Sequence, residues 1–386
     1  MKVVQVATGV YPIPSNDRAA AIEKIVFELS LNLSRKGCDV YVIDIPSEKR
    51  NSKRLFFHEV NLSYFSSINY RKFRALIFAF LSLFTLLNIL RRNRIDIVHT
   101  HTAYSAIFCM LACRLFSNVQ HVHTNHDPYL FMKSQKILRS YLEVIAFKFS
   151  NHIMAETSTI KEQLVYRFKI PPHKITVVAM GVDEPPIMQD SRSSSKNIIL
   201  NVGRLTPRKN QIALVEAIPE VLATHISLEF IFAGPIDDKV YYKKILQLIE
   251  LRDLSRFVKF AGEITNKELN ALYNKAIIFV FPTQAETQGM VLLEAMSYGL
   301  PIVASKISPI MNIVGRFPNS ALLVDQDPAS IAGAINKLLD DCALRLELSK
   351  NAKKVASTYS WRAVSNRVLL LYKRLTHNLD AYHTCQ

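Results

Sequence analysis

The chain has 386 residues, of which 49% are hydrophobic and 21% charged, a balance that excludes a disordered protein and favours two folded domains. Its formal net charge of +16 at pH 7 suggests nucleic acid, an anionic membrane surface or a phosphorylated ligand as partner, without choosing among them. Five scattered cysteines without a CxxC pair indicate neither a disulfide framework nor a zinc ribbon, and a cytoplasmic location is expected. The first apolar run lacks a signal-peptide cleavage pattern, so export is not expected.

The first half of the chain alternates β-rich runs with segments of helical periodicity. Apolar residues recur at helical spacing from Ile22 to Leu33, and Gly37 follows as a helix-ending residue. Strands are predicted at residues 2–8, 39–44, 95–101, 121–126, 152–156 and 175–180. Such alternation predicts a parallel sheet covered by helices on both faces.

A polar stretch rich in proline and serine, residues 184–197, interrupts this pattern and is predicted to be a linker. The alternation then restarts with NIILNVG, ISLEFIFAG, FVKFAG and AIIFVFP as predicted strands. The sequence therefore predicts two successive doubly wound α/β domains, residues 1–183 and 198–360.

Two glutamates stand in an otherwise apolar segment, AETQGMVLLEAMSYGLPIVAS. The pattern places Glu286 in a loop after a strand and Glu294 in the following helix. A carboxylate there could accept hydrogen bonds from sugar hydroxyls, and the amides at a helix N-terminus bind phosphate. The alternative is structural: Glu286 caps the helix and Glu294 lies on a partly exposed face.

A second candidate site is the basic turn NVGRLTPRKN, which carries Arg204, Arg208 and Lys209. Cations at the start of a helix oppose its dipole, so they contribute little stability there. They fit an anion such as a diphosphate. The alternative is a solvated basic turn.

These residues carry a resemblance to a known family. FPTQAETQGMVLLEAMSYGLPIVAS, NVGRLTPRKN, FAGEITNKELNALYNKAIIFVFP and IVHTH resemble the retaining family 4 glycosyltransferases, also called glycosyl transferases group 1. The resemblance implies the GT-B fold, in which two Rossmann-like doubly wound domains face a cleft. It also implies that a C-terminal helix, residues 361–386, crosses back to the first domain.

The resemblance assigns roles residue by residue. It implies that Glu286 binds the donor sugar, Glu294 the ribose of the nucleotide, and Arg204 and Lys209 the diphosphate, while His126 in TNHDPY orients donor or acceptor. Backbone amides complete the donor site at three residues: Gln288, Gly289 and Met290. No metal or other cofactor is expected, because the nucleotide diphosphate sugar is itself the donor substrate.

The implied reaction is transfer of a hexose, with retention, from a UDP- or GDP-linked sugar to a hydroxyl acceptor. The expected acceptor is a lipid-linked or growing surface glycan, which makes polysaccharide biosynthesis the expected role. No carboxylate is identified as a covalent nucleophile, so front-face substitution is left by elimination. One departure from the family concerns residues 19–21, which are alanines in NDRAAAIEK where a glycine pair is usual.

Five histidines offer an alternative reading as a metal-dependent hydrolase. HVHTNH resembles the HxHxDH signature of metallo-β-lactamase-like hydrolases, and histidines at i and i+2 on a strand can share a metal. Asn125 stands where that signature has aspartate, and no later ligand motif follows. The other interpretation is that these side chains line a crevice: His99, His101, His121, His123 and His126.

Residues 71–94, RKFRALIFAFLSLFTLLNILRRNR, have an apolar middle between basic flanks. The apolar part is short for a transmembrane helix, which needs roughly twenty residues. Two interpretations are open: an ordinary buried helix, or a helix that contacts an anionic membrane surface from the cytoplasmic side. Nucleic acid is not an expected partner, because the basic runs lack interleaved aromatic residues.

Overall fold

The computed structural model describes residues 1–14, 21–47, 54–62, 71–116, 118–126, 137–185, 197–315 and 317–383. The chain divides into two compact units, one formed by Met1–Gly181 with Trp361–Gln386 and the other by Val182–Ser360. Residues 186–196 of the expected linker, together with Ala19 and Ala20, lie outside the described residues. Each unit is built on a parallel sheet with interleaved helices, which confirms the expected α/β class.

The first unit contains a seven-stranded parallel sheet. Its strands are β1 (Lys2–Val6), β2 (Asp39–Asp44), β3 (Leu55–Glu59), β4 (Ile97–Thr100), β5 (Gln120–Thr124), β6 (His152–Ala155) and β7 (Ile175–Val177). They lie in the order β3-β2-β1-β4-β5-β6-β7. The five helices between them are α1 (Ala21–Arg35), α2 (Arg71–Arg92), α3 (Ala103–Arg114), α4 (Ile137–Phe149) and α5 (Ser158–Tyr166). The edge strand β3 was not predicted, because LFFHE neither alternates apolar and polar residues nor forms a wholly apolar run.

The second unit contains a six-stranded parallel sheet in the order β10-β9-β8-β11-β12-β13. Its strands are β8 (Ile198–Val202), β9 (Glu229–Ala233), β10 (Val258–Gly262), β11 (Ala276–Phe281), β12 (Ile302–Ser305) and β13 (Leu322–Val324). Its helices are α6 (Gln211–Leu222), α7 (Lys239–Leu251), α8 (Asn266–Lys275), α9 (Met290–Ser297), α10 (Ser308–Val314), α11 (Pro328–Asp340) and α12 (Cys342–Thr358).

Both sheets are buried on their two faces by helices. In the first unit α1 packs against the last helix, α13 (Trp361–His383), while α2, α3 and α4 pack side by side. Because crossovers between parallel strands are right-handed as a rule, these two groups are expected on opposite faces of the sheet. In the second unit α11 packs on α6 and α12 packs on α9, and each pair covers its own apolar core. Strands buried on both faces are nearly continuous in apolar residues, as IILNV and AIIFVF show.

Each sheet has one point where the strand order reverses, between β1 and β4 in the first unit and between β8 and β11 in the second. The two loops that leave the carboxyl ends of such strands run to opposite faces, so a crevice opens between them. Ligands of doubly wound proteins bind in that crevice.

The strands of the first unit bury ionisable side chains, and one of them makes stability depend on pH. Burial lowers the pKa of His121 from about 6.5 to about 3, and its Nε2 lies 3.0 Å from the Thr100 hydroxyl. Because the folded pKa lies below the unfolded one, stability is present above pH 6.5 and is lost as the pH falls towards 3.

We therefore expect His121 to remove about 2 kcal/mol of unfolding free energy between pH 7 and pH 5. Urea unfolding is followed by the fluorescence of Trp361, the single tryptophan of the chain, which is buried in the first unit. A His121→Gln variant should lose about 2 kcal/mol of this pH dependence, whereas the exposed His173→Gln variant should keep it. Equal pH dependence in wild type and His121→Gln would contradict the assignment.

Candidate functional site

The crevice of the second unit contains a buried ion pair. Lys209 follows β8 and Glu286 follows β11, and the Lys209 ammonium donates to Glu286 Oε1. The two side chains are only 11% and 8% exposed, and the Lys209 Nζ also lies 4.9 Å from the centre of the Phe281 ring. A buried carboxylate needs such a partner, because an uncompensated charge away from water costs several kcal/mol. The structure thus brings together two side chains that the sequence placed in separate motifs.

Hydrogen bonds join the two loops that carry this ion pair. A 3₁₀ turn at Pro207–Lys209 precedes α6, and the Arg208 carbonyl accepts hydrogen bonds from the Gln284 amide at 2.8 Å and the Thr283 hydroxyl at 3.2 Å. These bonds tie the loop after β8 to the loop after β11. These contacts therefore fix the position of the basic turn in the crevice, with Lys209 directed at Glu286.

Glu294 lies in α9 and has a buried tyrosine as partner. The Tyr273 hydroxyl donates to Glu294 Oε2 at 3.1 Å, and the Tyr298 ring stacks on Tyr273 with centroids 5.1 Å apart. Burial and the Glu294 carboxylate hold the pKa of Tyr273 well above its usual range, so its hydroxyl stays a donor. Burial, followed by the charge of Glu294, raises the pKa of Tyr298 to about 12. Glu294 is thus half-buried, and the phenol holds it in position.

The start of α9 has the geometry expected of a phosphate-binding turn. Gly289 is the N-cap residue with φ of +74°, a conformation that favours glycine, and Met290 begins the helix. Gln288 is buried beside it. The first N–H groups of a helix have no acceptor within the helix, and its dipole attracts an anion to this end.

Arg204 is placed differently from Lys209. Its guanidinium is exposed and contacts both carboxylate oxygens of Asp237, at 2.8 and 3.0 Å. Exposed ion pairs of this kind contribute about 0–1 kcal/mol, so Arg204 can leave Asp237 for a stronger acceptor at little cost.

The histidines of the first unit do not form one cluster. Neighbours on a strand point to opposite faces, so His99 and His101 lie on one face while Thr100 points to the other. The Thr100 hydroxyl lies within 3.1 Å of nitrogens of His121 and His123. Four of the five side chains are fully buried, so the expectation that they line a crevice is wrong for them: His99, His101, His121 and His123.

His126, which follows β5, lies beside a buried glutamate. Its Nδ1 is 2.6 Å from Glu156 Oε1, and its Nε2 is 3.0 Å from His101 Nδ1. Within the part of the chain that the structure describes, no three histidine, cysteine or acidic side chains converge as ligands for a metal ion. The histidines instead pair with hydroxyl, amide and carboxylate groups, which does not favour the hydrolase alternative.

Comparison with known proteins agrees with this geometry. The family described as Glycosyltransferase Family 4 matches residues 22–184, and the family described as Glycosyl transferases group 1 matches residues 183–355. The chain belongs to the family 4 glycosyltransferases. Two adjoining matches over nearly the whole length, one on each sheet, identify the fold as GT-B and the activity as glycosyl transfer.

Several known proteins are similar to this chain in sequence or in fold. An uncharacterized glycosyltransferase of Methanocaldococcus jannaschii is 27% identical over 74% of this chain and 77% of that protein. A human phosphatidylinositol N-acetylglucosaminyltransferase subunit is 25% identical over 92% of this chain and 73% of its own length. The crystal structure of Anabaena HepE in complex with UDP and glucose superposes with a TM-score of 0.70, at 17% identity, over 97% of this chain and 100% of that one.

Several residues of the site were missed by sequence reasoning. Tyr273, Phe281 and Asp237 contact the candidate residues of the second unit, and Glu156 contacts His126. Tyr273 and Phe281 resemble ordinary core aromatics in the sequence. Only Glu156, a glutamate directly after the β-rich run HIMA, gave a signal of the same kind as Glu286.

We expect Gly234, which follows β9, to be essential for the shape of the loop that leaves β8 at Gly203. A Cβ at this position would overlap the Gly203 carbonyl group, and φ is +145°. Gly234→Ala should therefore displace the loop before Arg204 and weaken nucleotide binding, measured by calorimetry, about tenfold or more. Gly262→Ala is the control, since φ there is +65° but the added Cβ meets open space. Equal binding by both variants would contradict the prediction.

Proposed function

We propose that this chain is a retaining hexosyltransferase that takes its sugar from a UDP- or GDP-linked donor and transfers it to a hydroxyl of a lipid-linked or growing surface glycan. The observation that supports this most is the buried Lys209–Glu286 pair at the strand-order reversal of the second unit. It provides a cation for the donor's phosphates beside a carboxylate for its sugar hydroxyls.

Each partner of this pair can exchange its present contact for a ligand group. A donor phosphate replaces Glu286 at the Lys209 ammonium, and sugar hydroxyls replace Lys209 at the carboxylate. Lys209, with Arg204, then stabilises the charge that develops on the leaving diphosphate, which is the kind of electrostatic help that lowers such barriers most. On this proposal the donor's phosphates need no resident metal ion as counter-charge.

The remaining donor contacts follow from the same loops. Glu294, oriented by Tyr273, accepts hydrogen bonds from the ribose hydroxyls, and the amides of Gln288, Gly289 and Met290 receive a phosphate. UDP is the first nucleotide to test, because Anabaena HepE binds UDP and glucose in a structure of the same fold.

The acceptor and the stereochemistry rest on other observations. The human relative's name specifies phosphatidylinositol as its acceptor, which supports a lipid-linked hydroxyl acceptor for this chain. Retention is proposed to occur by front-face substitution, since no residue is assigned as a covalent nucleophile. His126 orients the donor or acceptor sugar.

A calorimetric panel of UDP, GDP and ADP, with chelator present, tests the donor site. One nucleotide should bind, and Lys209→Met should weaken it about tenfold or more, because a charge-assisted hydrogen bond contributes about 1.5–3 kcal/mol. Lys259→Met is a matched control, since Lys259 pairs with Glu229 on the exposed side of the same unit. Glu294→Gln should weaken nucleotide binding as well. No binding by any nucleotide, or equal losses in the two lysine variants, would refute the site.

We also infer that the first unit rests on a cytoplasmic membrane face through α2, α3 and α4. Their outer sides expose large apolar residues that form the three-helix surface: Phe73, Leu76, Phe80, Phe84, Leu111, Leu115, Tyr141 and Phe149. Phe73–Arg92 is long and apolar enough to cross a membrane by length and composition. The inner side of α2 nevertheless belongs to the core through Phe78, Leu86 and Ile89, so a spanning helix would have to leave the fold.

Charge complementarity identifies an anionic lipid surface as the partner. Neither α2 nor α3 contains an acidic residue, and the one glutamate of α4, Glu143, is buried against His123. The same helices and their ends expose basic side chains: Arg91, Arg92, Arg94, Arg114 and Lys148. Such basic residues contribute about 1 kcal/mol each to binding of an anionic membrane, and aromatic side chains that insert into the membrane add hydrophobic attraction.

Co-sedimentation with vesicles tests this surface. The protein should bind phosphatidylglycerol-containing vesicles, bind phosphatidylcholine vesicles weakly, and lose affinity with added salt. A Phe80→Glu, Phe84→Glu double variant should bind about tenfold more weakly. The control carries Leu246→Glu and Leu251→Glu, which replace exposed apolar residues of α7 in the other unit. Equal affinity of the two double variants would overturn the surface.

A further inference from the structure

A continuous chain of hydrogen bonds runs through the strand-order reversal of the first unit. Glu156 contacts His126, His126 contacts His101, and His101 Nε2 lies 2.8 Å from Gln5 Oε1. The Gln5 amide nitrogen donates to the Tyr372 hydroxyl of α13 at 3.3 Å, and that hydroxyl lies 2.7 Å from His99 Nδ1. Gln5 and Tyr372 are fully buried, and the His126 and Glu156 side chains are 3% and 9% exposed.

Local structure fixes both residues that flank His126. His101 is the single residue between the end of β4 and Thr102, whose side chain caps α3 by accepting from the Ser105 amide. Glu156 is the single residue between the end of β6 and Thr157, which caps α5 in the same way. Each side chain is therefore held by a strand on one side and a capped helix on the other.

The direction of each hydrogen bond follows from the Gln5 carbonyl. A carbonyl oxygen only accepts, so His101 Nε2 carries hydrogen. Burial holds the pKa of His101 well below its usual range, so its Nδ1 carries a lone pair. That lone pair accepts from His126 Nε2. The carboxylate of Glu156 accepts from His126 Nδ1, so both ring nitrogens of His126 carry hydrogen.

Other titratable groups lie near His126 on the neighbouring elements. Glu23 of α1 is buried and accepts a hydrogen bond from the Thr8 hydroxyl; burial raises its pKa, and that hydrogen bond opposes the rise. Burial holds the pKa of His99 on β4 well below the usual range, so His99 is neutral. Two carboxyl groups and two neutral histidines thus lie around the His126 ring.

We propose that Glu156 and Gln5 are positioning residues for glycosyl transfer. Glu156 by direct contact, and Gln5 through His101, hold the His126 ring doubly protonated and in one orientation. This inference rests on the proposed role of His126 in transfer. His126 then acts as a fixed hydrogen-bond donor towards a sugar oxygen, exchanging His101 for the ligand, with Glu156 keeping the ring in place.

The test uses Glu156→Gln, with Glu143→Gln as a matched control. Glu143 is equally buried and lies 3.3 Å from His123 Nε2, a histidine to which no role in transfer is assigned. Ring ¹⁵N NMR of the full chain without ligand reports the hydrogens of His126 directly. Wild type and Glu143→Gln should show both His126 nitrogens protonated at neutral pH, and Glu156→Gln should show a single neutral tautomer.

Steady-state kinetics supply the second readout. Glu156→Gln should lower kcat about tenfold or more and change its pH profile, while KM for the donor nucleotide sugar stays within about twofold. Glu143→Gln should leave kcat and the profile unchanged. If Glu156→Gln does not fold, Gln5→Met gives the same NMR test, because it removes the acceptor that fixes the hydrogen on His101 Nε2.

The outcomes separate the inference from the proposed function. An unchanged His126 signal in Glu156→Gln overturns the inference, whatever the rate. A changed signal with wild-type kcat overturns the positioning role and the part of the proposed function that places His126 in transfer. A changed signal with a lowered kcat, absent in Glu143→Gln, supports both.

Discussion

Polar side chains buried at the carboxyl ends of parallel strands must be paired, and the arrangement of both units depends on this constraint. Desolvating an unpaired charge costs several kcal/mol, which is comparable to the net stability of a domain. In the second unit Lys209 pairs with Glu286, and the loop contacts at Arg208 bring the two side chains together. In the first unit a chain from Glu156 to Tyr372 meets the same need with hydrogen bonds.

The two solutions differ in what a ligand can do with them. The Lys209–Glu286 pair consists of one strong donor and one strong acceptor, so a ligand that offers a phosphate and a hydroxyl can separate them without leaving either unpaired. The hydrogen-bond chain in the first unit has a fixed direction instead. The Gln5 carbonyl determines which nitrogen of His101 carries hydrogen, and His101 in turn determines that His126 donates to it. An exchange at its His126 end therefore affects hydrogens as far away as His101.

Sequence reasoning predicted the α/β class and the family, because long periodic elements and the motifs around Glu286 and Arg204 are local properties of the chain. The family resemblance placed Lys209 and Glu286 at one donor site. It did not give their direct contact, since 77 residues separate them and only the register of β8 beside β11 closes that distance. The pairing of Tyr273 with Glu294 was missed for the same reason. The edge strand β3 was missed because LFFHE shows neither alternation nor a wholly apolar run.

Net charge is the property that the sequence could interpret least, because +16 is compatible with nucleic acid, lipid and phosphorylated ligands alike. In the structure the positive charge occurs in two different environments. Lys209 is a single buried cation whose strength comes from exclusion of water, and salt screens such a charge little. The arginines at the ends of α2 and α3 are exposed around apolar side chains, where salt screens them strongly. Ionic strength therefore acts on the proposed membrane contact far more than on the proposed donor site, and the two uses of positive charge can be measured independently in one protein.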